Sequence, residues 1–244
     1  MRTVVIIPAR FSSSRYPGKP LVPLLGRPMI LWVAELAARA VGNHDVYIAT
    51  DDERIAETVK EAGFKFIMTG AAQTGTDRIA DAASEIDSDI FINVQGDEPL
   101  LDPKDILKIR DAKLQNLGKV INGYAWIGDS EDPASVNIPK VITNEKGDLV
   151  YMSRLPIPGF KGEKNAPVRY KKQVCIYAFS KEELRRYREF GRKSKLEQCE
   201  DIEILRFFEL DVPVLMVQTK PGSLAVDVPE DVEKVESALR ALQS

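Results

Sequence analysis

Histidine and cysteine are almost missing from this chain. One histidine, His44, and two cysteines, Cys175 and Cys199, stand among 244 residues. The two cysteines make no C-x-x-C pattern, so a cysteine metal site is excluded, and they read most simply as reduced cytosolic thiols. His44 precedes the second expected strand and reads as a surface turn residue. Its solitude disfavours histidine-based acid–base catalysis, and no nucleophilic triad can be assembled. Long apolar runs are also lacking: no stretch is long enough to span a bilayer. The opening MRTVVIIPAR resembles a signal peptide only superficially, because its apolar stretch is short, Pro8 interrupts it and no small-residue cleavage site follows. The expectation is a cytoplasmic protein without membrane insertion. A basic excess is missing as well: the formal net charge is −3, which argues against a general nucleic-acid binder. Two nucleotide-binding signatures are absent. Ser13 occupies the first glycine position of a Walker A pattern and Pro20 follows Lys19, and G-x-G-x-x-G occurs nowhere.

What is present is the composition of a globular α/β protein, with 44% apolar and 29% charged residues. Thr3 to Pro8 is a near-continuous apolar run, as in a parallel strand buried on both faces. A long loop, Ala9 to Pro28, follows. A helix is expected over Met29–Val41, a strand over Asp45–Ala49, a helix over Asp52–Ala62 and a strand over Phe64–Thr69. Then come a helix over Thr76–Glu85, with Asp77 in its first turn, a strand over Asp89–Val94 and a helix opened by Pro103. Such alternation means βαβ units and a mostly parallel sheet. The pattern changes near Lys140. A hairpin is expected over Lys140–Ser153, turning at Asn144-Glu145-Lys146-Gly147, and a strand over Tyr170–Phe179. Helices follow near Lys181–Phe190 and Cys199–Phe208, then a strand over Val214–Gln218 and a final helix from Pro229. The expected fold is one α/β core over residues 1–244, carrying a smaller inserted sheet at about 140–180.

The chemistry gathers at strand ends. The loop PARFSSSRYPGKP after the first strand carries Arg10, Arg15 and Lys19, with Gly18 permitting close backbone approach. Ligands of open α/β sheets bind beyond the carboxyl ends of the strands, and three cations there suit a polyphosphate. A solvated basic surface loop is the alternative, and composition alone leans toward it. Gln95-Gly96-Asp97-Glu98-Pro99 follows the apolar strand Ile90–Val94, so Asp97 is placed to hold Mg²⁺ on bound phosphates, or else is a turn residue. Asp227, in Ala225-Val226-Asp227-Val228-Pro229, is a second candidate ligand, or else a helix cap. With no histidine available, electrostatic and metal catalysis remain, which is what nucleotidyl transfer needs.

Taken together, PARFSSSRYPGKPL, ATDDERI, TGTDRI, NVQGDEP, YMSRLPIP and VDVPEDVEKV resemble the CMP-Kdo synthetases, the 3-deoxy-manno-octulosonate cytidylyltransferases, in order and spacing from Val4 to the last helix. The resemblance implies a Rossmann-like, mostly parallel sheet of the nucleotide-diphospho-sugar transferase type and a homodimer. It implies CTP and Kdo as substrates, CMP-Kdo and pyrophosphate as products, Mg²⁺ as cofactor and a place in lipopolysaccharide biosynthesis. Arg10, Arg15 and Lys19 would hold the triphosphate, with Arg15 and Lys19 stabilising the leaving pyrophosphate. Asp97 and Asp227 would hold the metal. Thr74, Gly75, Thr76 and Arg78 would lie by the nucleotide, with Gln95 between nucleotide and sugar. Arg154, Tyr177 and Glu203 would line the sugar-acid site, its wall shaped by Pro156 and Pro158.

Two positions depart from the family pattern. Gln173 stands where the family commonly has a histidine, and Ile204 follows Glu203 where glutamine is frequent. These leave Kdo as the expected sugar but admit an amino-substituted Kdo. Rival readings are a cytidylyltransferase for a sialic acid, a glycosyltransferase and a non-catalytic nucleotide sensor. Asp97-Glu98-Pro99 lacks the second Asp of a glycosyltransferase D-x-D motif. Retention of Arg10, Arg15, Lys19, Asp97 and Asp227 together argues against a sensor.

Overall fold

A computed structural model describes residues 1–12, 15–129, 131–220 and 224–243, so Ser13 of the first loop lies outside the described residues. In chain order the elements are β1 (Thr3–Ala9), β2 (Pro23–Leu24), β3 (Arg27–Pro28), α1 (Met29–Val41), β4 (Val46–Thr50), α2 (Glu53–Glu61), β5 (Lys65–Met68), α3 (Gly75–Glu85), β6 (Ile90–Val94), α4 (Pro103–Gln115) and β7 (Val120–Trp126). There follow β8 (Lys140–Thr143), β9 (Leu149–Ser153), β10 (Lys171–Ser180), α5 (Lys181–Glu189), α6 (Lys195–Glu200), α7 (Arg206–Glu209), β11 (Val214–Gln218) and α8 (Asp231–Gln243).

The main sheet runs β11-β7-β10-β6-β1-β4-β5. Along this path β10 is antiparallel to both neighbours and every other pairing is parallel. Side chains alternate across the pleat. Val5, Ile7, Ile90 and Ile92 face α1, α2 and α4, whereas Val4, Ile6 and Phe91 face α3 and α5. A third, smaller cluster packs Val235 and Leu239 of α8 on Leu24 and Met29. Both sheet faces are therefore covered, which explains the unbroken apolar runs of β1 and β6. The chain leaves β1 toward β4 and β5, then returns to lay β6 on the other side of β1. That reversal opens a crevice at the carboxyl ends of β1 and β6.

Caps fix the helix starts. Asp52, Thr74 and Asp102 each accept a backbone N–H of the first turn of α2, α3 and α4. Ser180 with Glu183, and Ser194 with Glu197, form complete capping boxes on α5 and α6.

Three features differ from the sequence-based expectation. The inserted hairpin forms, as β8 and β9, but it is stitched to the main sheet through Lys171 and Lys172 of β10. The helix expected over Cys199–Phe208 is broken. The capping box starts α6 early, Asp201 takes a left-handed conformation (φ 51), and a 3-10 turn over Glu203–Leu205 precedes α7. The sequence pattern also does not announce β7, whose central Asn122-Gly123 is a turn-like pair.

Gly123 permits a close approach there. A Cβ at this position would lie 2.7 Å from Ile176 Cγ2 and 3.2 Å from Thr219 Cγ2. Gly123→Ala is therefore expected to destabilise the fold by about 1–3 kcal/mol through overpacking. Urea unfolding of the variant measures this, and an unchanged midpoint would show that β7 and β10 do not approach this closely.

Candidate active site

The crevice is a cavity of about 1060 Å³. Of the residues expected from sequence, Arg10, Arg15, Lys19, Thr74, Gly75, Arg78, Gln95, Asp97, Arg154, Gln173, Tyr177, Glu203 and Asp227 all line it. Thr76 does not. It is fully buried, and its hydroxyl donates to Glu203 Oε2 at 2.5 Å. Pro156 and Pro158 are exposed and stand away from the cavity, where Pro139 supplies a wall instead.

At the phosphate end, Gly18 turns the first loop. Its φ of +72° is in the left-handed region, and an added Cβ would meet the Phe11 ring at 3.2 Å, so glycine is required here. The turn presents Lys19, whose ammonium sits 2.5 Å from Asp97 Oδ2 and 3.4 Å from Asp227 Oδ1. Arg15 reaches Asp227 at 3.1 Å. Asp227 is not a helix cap. Its own backbone N–H, with that of Val228, donates to Asp231. Arg10 is exposed and has no ion-pair partner among the described residues. Two carboxylates from distant parts of the chain thus converge on one cation position. Their oxygens are hard donors of the kind that could hold a divalent cation. Among the described residues no cluster of three or more acidic, cysteine or histidine groups could hold a metal by itself.

Next to it lies the amino end of α3. Glu203 places both carboxylate oxygens there, accepting from the backbone N–H groups of Gly75 at 3.0 Å and Thr76 at 2.9 Å. Thr74, not Thr76, caps the helix. Below, Arg206 is buried between Asp77 at 2.6 Å and Glu197 at 2.7 Å, with Tyr187 stacked 3.8 Å away. This knot fixes α6 and α7 against α3, and sequence reasoning did not find it. Arg78 is likewise held, by Asp51 at 2.6 Å and the Thr69 hydroxyl at 2.5 Å.

The opposite wall comes from β10 and the hairpin region. Arg154 gives three of its N–H groups to the backbone carbonyls of Glu200, Val136 and Asp201. Two further N–H groups remain on its guanidinium, whose Nη2 lies 3.9 Å from the Asp201 carboxylate. Cys175 also lines the cavity, beside Tyr177. Burial, reinforced by the Glu98 carboxylate, pushes the Cys175 thiol up to about 12. Burial, with Cys175 and Glu203 nearby, holds the Tyr177 phenol well above its ordinary value.

The sequence matches the model of the family described as Cytidylyltransferase over residues 4–213. A 3-deoxy-manno-octulosonate cytidylyltransferase of Geobacter metallireducens is 36% identical, with all of both chains covered. An 8-amino-3,8-dideoxy-manno-octulosonate cytidylyltransferase of Shewanella halifaxensis is 38% identical, covering 98% of this chain and 99% of that one. A solved structure of CMP:2-keto-3-deoxy-manno-octonic acid synthetase complexed with CTP is 36% identical, covers both chains fully and superposes with a TM-score of 0.91. The chain belongs to the cytidylyltransferase family.

The thiols give a test of the cavity wall. The thiolate is the reactive form, so Cys175 is expected to stay unreactive toward iodoacetamide at pH 8 while exposed Cys199 is labelled. Mass spectrometry after partial labelling reads the order, and Cys175 alkylated as fast as Cys199 would contradict a half-buried thiol held protonated.

Proposed function

We propose that this cytidylyltransferase transfers the cytidylyl group of CTP to the anomeric hydroxyl of Kdo, releasing pyrophosphate and supplying CMP-Kdo for lipopolysaccharide biosynthesis. The observation that carries the reading is the meeting of Lys19, Asp97, Asp227 and Arg15 at one end of a cavity whose other end is lined by Arg154, Gln173 and Tyr177. Full-length similarity to Kdo cytidylyltransferases supports it.

Phosphoryl chemistry needs positioning and charge more than covalent help from the protein. Arg10, Arg15 and Lys19 surround the position for the triphosphate, and their charge stabilises pyrophosphate as it leaves. The Thr74–Gly75 turn and Arg78 form the nucleotide side. The guanidinium of Arg154 suits the carboxylate of a sugar acid. Asp97 and Asp227 would hold Mg²⁺, which when bound neutralises phosphate charge and orients the reactants. A second reading takes 8-amino-3,8-dideoxy-manno-octulosonate as the sugar. It is favoured by Gln173 in place of the family's histidine and by the relative that acts on that sugar.

The same reading places the chain in the cytoplasm, where Cys175 and Cys199 persist as free thiols. Among the described residues no helix is long and apolar enough to cross a membrane. It also includes a homodimer. Leu155, Phe160 and Val168, at 65%, 44% and 98% exposure, give the segment after the hairpin an apolar surface that pairing would cover.

Pyrophosphate release with CTP and Kdo tests the reaction: turnover is expected with that pair, and its absence would sink the proposal. Asp97→Asn keeps the size of the side chain and loses its charge. It should lower kcat by on the order of a hundredfold or more with the circular dichroism spectrum unchanged. Near-wild-type turnover would return Asp97 to the role of a turn residue. For the dimer, light scattering should give twice 27.2 kDa and Val168→Glu should shift it toward the monomer. A monomeric wild type would remove the dimer from the reading.

A further inference from the structure

The bulge in β10 has a chemical consequence for the sugar. Between Val174 and Tyr177 the pairing of β10 with β7 slips out of register. The carbonyls of Val174 and Ile176 are taken up by one side chain, Asn122, whose Nδ2 donates to them at 2.9 and 3.1 Å. Two carbonyls can be served only by an NH₂ group, so the Asn122 amide has one permitted orientation and its Oδ1 is an acceptor. Gln173 Nε2 meets that oxygen at 3.1 Å and the Tyr177 hydroxyl at 3.3 Å. An amide nitrogen carries two hydrogens, and both are now engaged. Of the Gln173 amide, only the carbonyl oxygen Oε1 is left for whatever occupies the cavity. It has no protein partner among the described residues, although Gln173 lines the cavity.

We propose that Asn122 is a positioning residue that locks Gln173 as an acceptor, so that the site selects a hydrogen-bond donor on the sugar acid at that point. This rests on the reaction proposed above and narrows its substrate. An amide that could turn would accept a donor or an acceptor alike. This one takes a hydroxyl or an amine, and turns away groups that only accept, such as fluorine or a second carboxylate oxygen. The sugar's carboxylate therefore faces away from Gln173, toward the guanidinium of Arg154. Asn122 itself is fully buried and does not line the cavity, so it acts only through Gln173.

The test is kcat/KM with CTP for the parent sugar acid and for analogues in which each hydroxyl in turn is replaced by fluorine, in wild type, Asn122→Ala and Gln173→Met. In wild type one position should show a penalty of roughly ten- to a hundredfold, with the KM for CTP unchanged. At that position an amine should be tolerated. Gln173→Met and Asn122→Ala should each reduce the fluorine penalty to about threefold or less. If Asn122→Ala does not fold, the Gln173→Met series decides. A penalty profile identical in wild type and Gln173→Met overturns the inference, and so does a folded Asn122→Ala that discriminates as wild type does. In both cases turnover of the parent sugar by wild type leaves the cytidylyl-transfer reading standing. Absence of that turnover overturns the reading and this inference with it.

Discussion

The ammonium of Lys19 holds this site together. It draws in Asp97 from the end of β6 and Asp227 from the segment before α8, two residues separated by 130 positions of chain. Two carboxylates brought this close repel one another unless a cation stands between them, and Lys19 supplies it. The lysine is 14% exposed, so the attraction is screened less than at an open surface. The first loop, the β6 end and the α8 approach are therefore set by one electrostatic requirement. α8 packs back on β2 through Leu24, Val235 and Leu239, which closes the arrangement on its outer side.

The nucleotide side follows the same logic at greater depth. The charges packed beneath the amino end of α3 are paired within the protein: Arg206 with Asp77 and Glu197, Arg78 with Asp51, Glu203 with two backbone N–H groups. Removing one partner of such a buried set leaves another charge uncompensated, which costs more than the pair contributes. The turn of Thr74 and Gly75 is thus held from beneath by groups that do not themselves have to touch nucleotide. The break in the helix expected over Cys199–Phe208 belongs to this design. The left-handed Asp201 redirects the chain between α6 and the 3-10 turn, and past it Glu203 reaches the amino end of α3 while Arg206 meets Asp77 and turns back to Glu197 of α6.

Much of the fold was legible in the sequence because it rests on local signals. The apolar runs of β1 and β6 and the helical spacing of α1 are short-range patterns, whereas local signals alone left Lys19 in a solvated loop and Asp97 and Asp227 as a turn residue and a cap, and the family resemblance was what drew the three into one site. What was not legible depends on pairing across distance. The family resemblance implied that Thr76 lies by the nucleotide, but the helix begins one residue earlier than its spacing suggests and turns Thr76 inward to Glu203. Strand β7 was hidden by Asn122-Gly123, a pair that favours turns in isolation. In the fold, Gly123 is needed for the closeness of Ile176 and Asn122 for the carbonyls of the β10 bulge. The tertiary demand on both residues is the opposite of their local preference.

The two ends of the cavity therefore work by different physics. At the end proposed for phosphate, the Lys19 and Arg15 cations are already shared with carboxylates. On the proposed reading, a polyphosphate would exchange partners with Lys19 and Arg15 instead of meeting bare charge, leaving little desolvation uncompensated. At the sugar end the fixed element is a chain of neutral amides and a phenol, built on the only strand of the main path that runs against its neighbours. Because β10 is antiparallel, its early residues pass the carboxyl ends of β6 and β7 and enter the same crevice as the first loop. A parallel strand in that place would bring its late residues there instead, and Gln173 would lie at the far end of the sheet. Reversal of one strand thus lets neutral hydrogen bonding be added to a nucleotide site without disturbing the charges that build it.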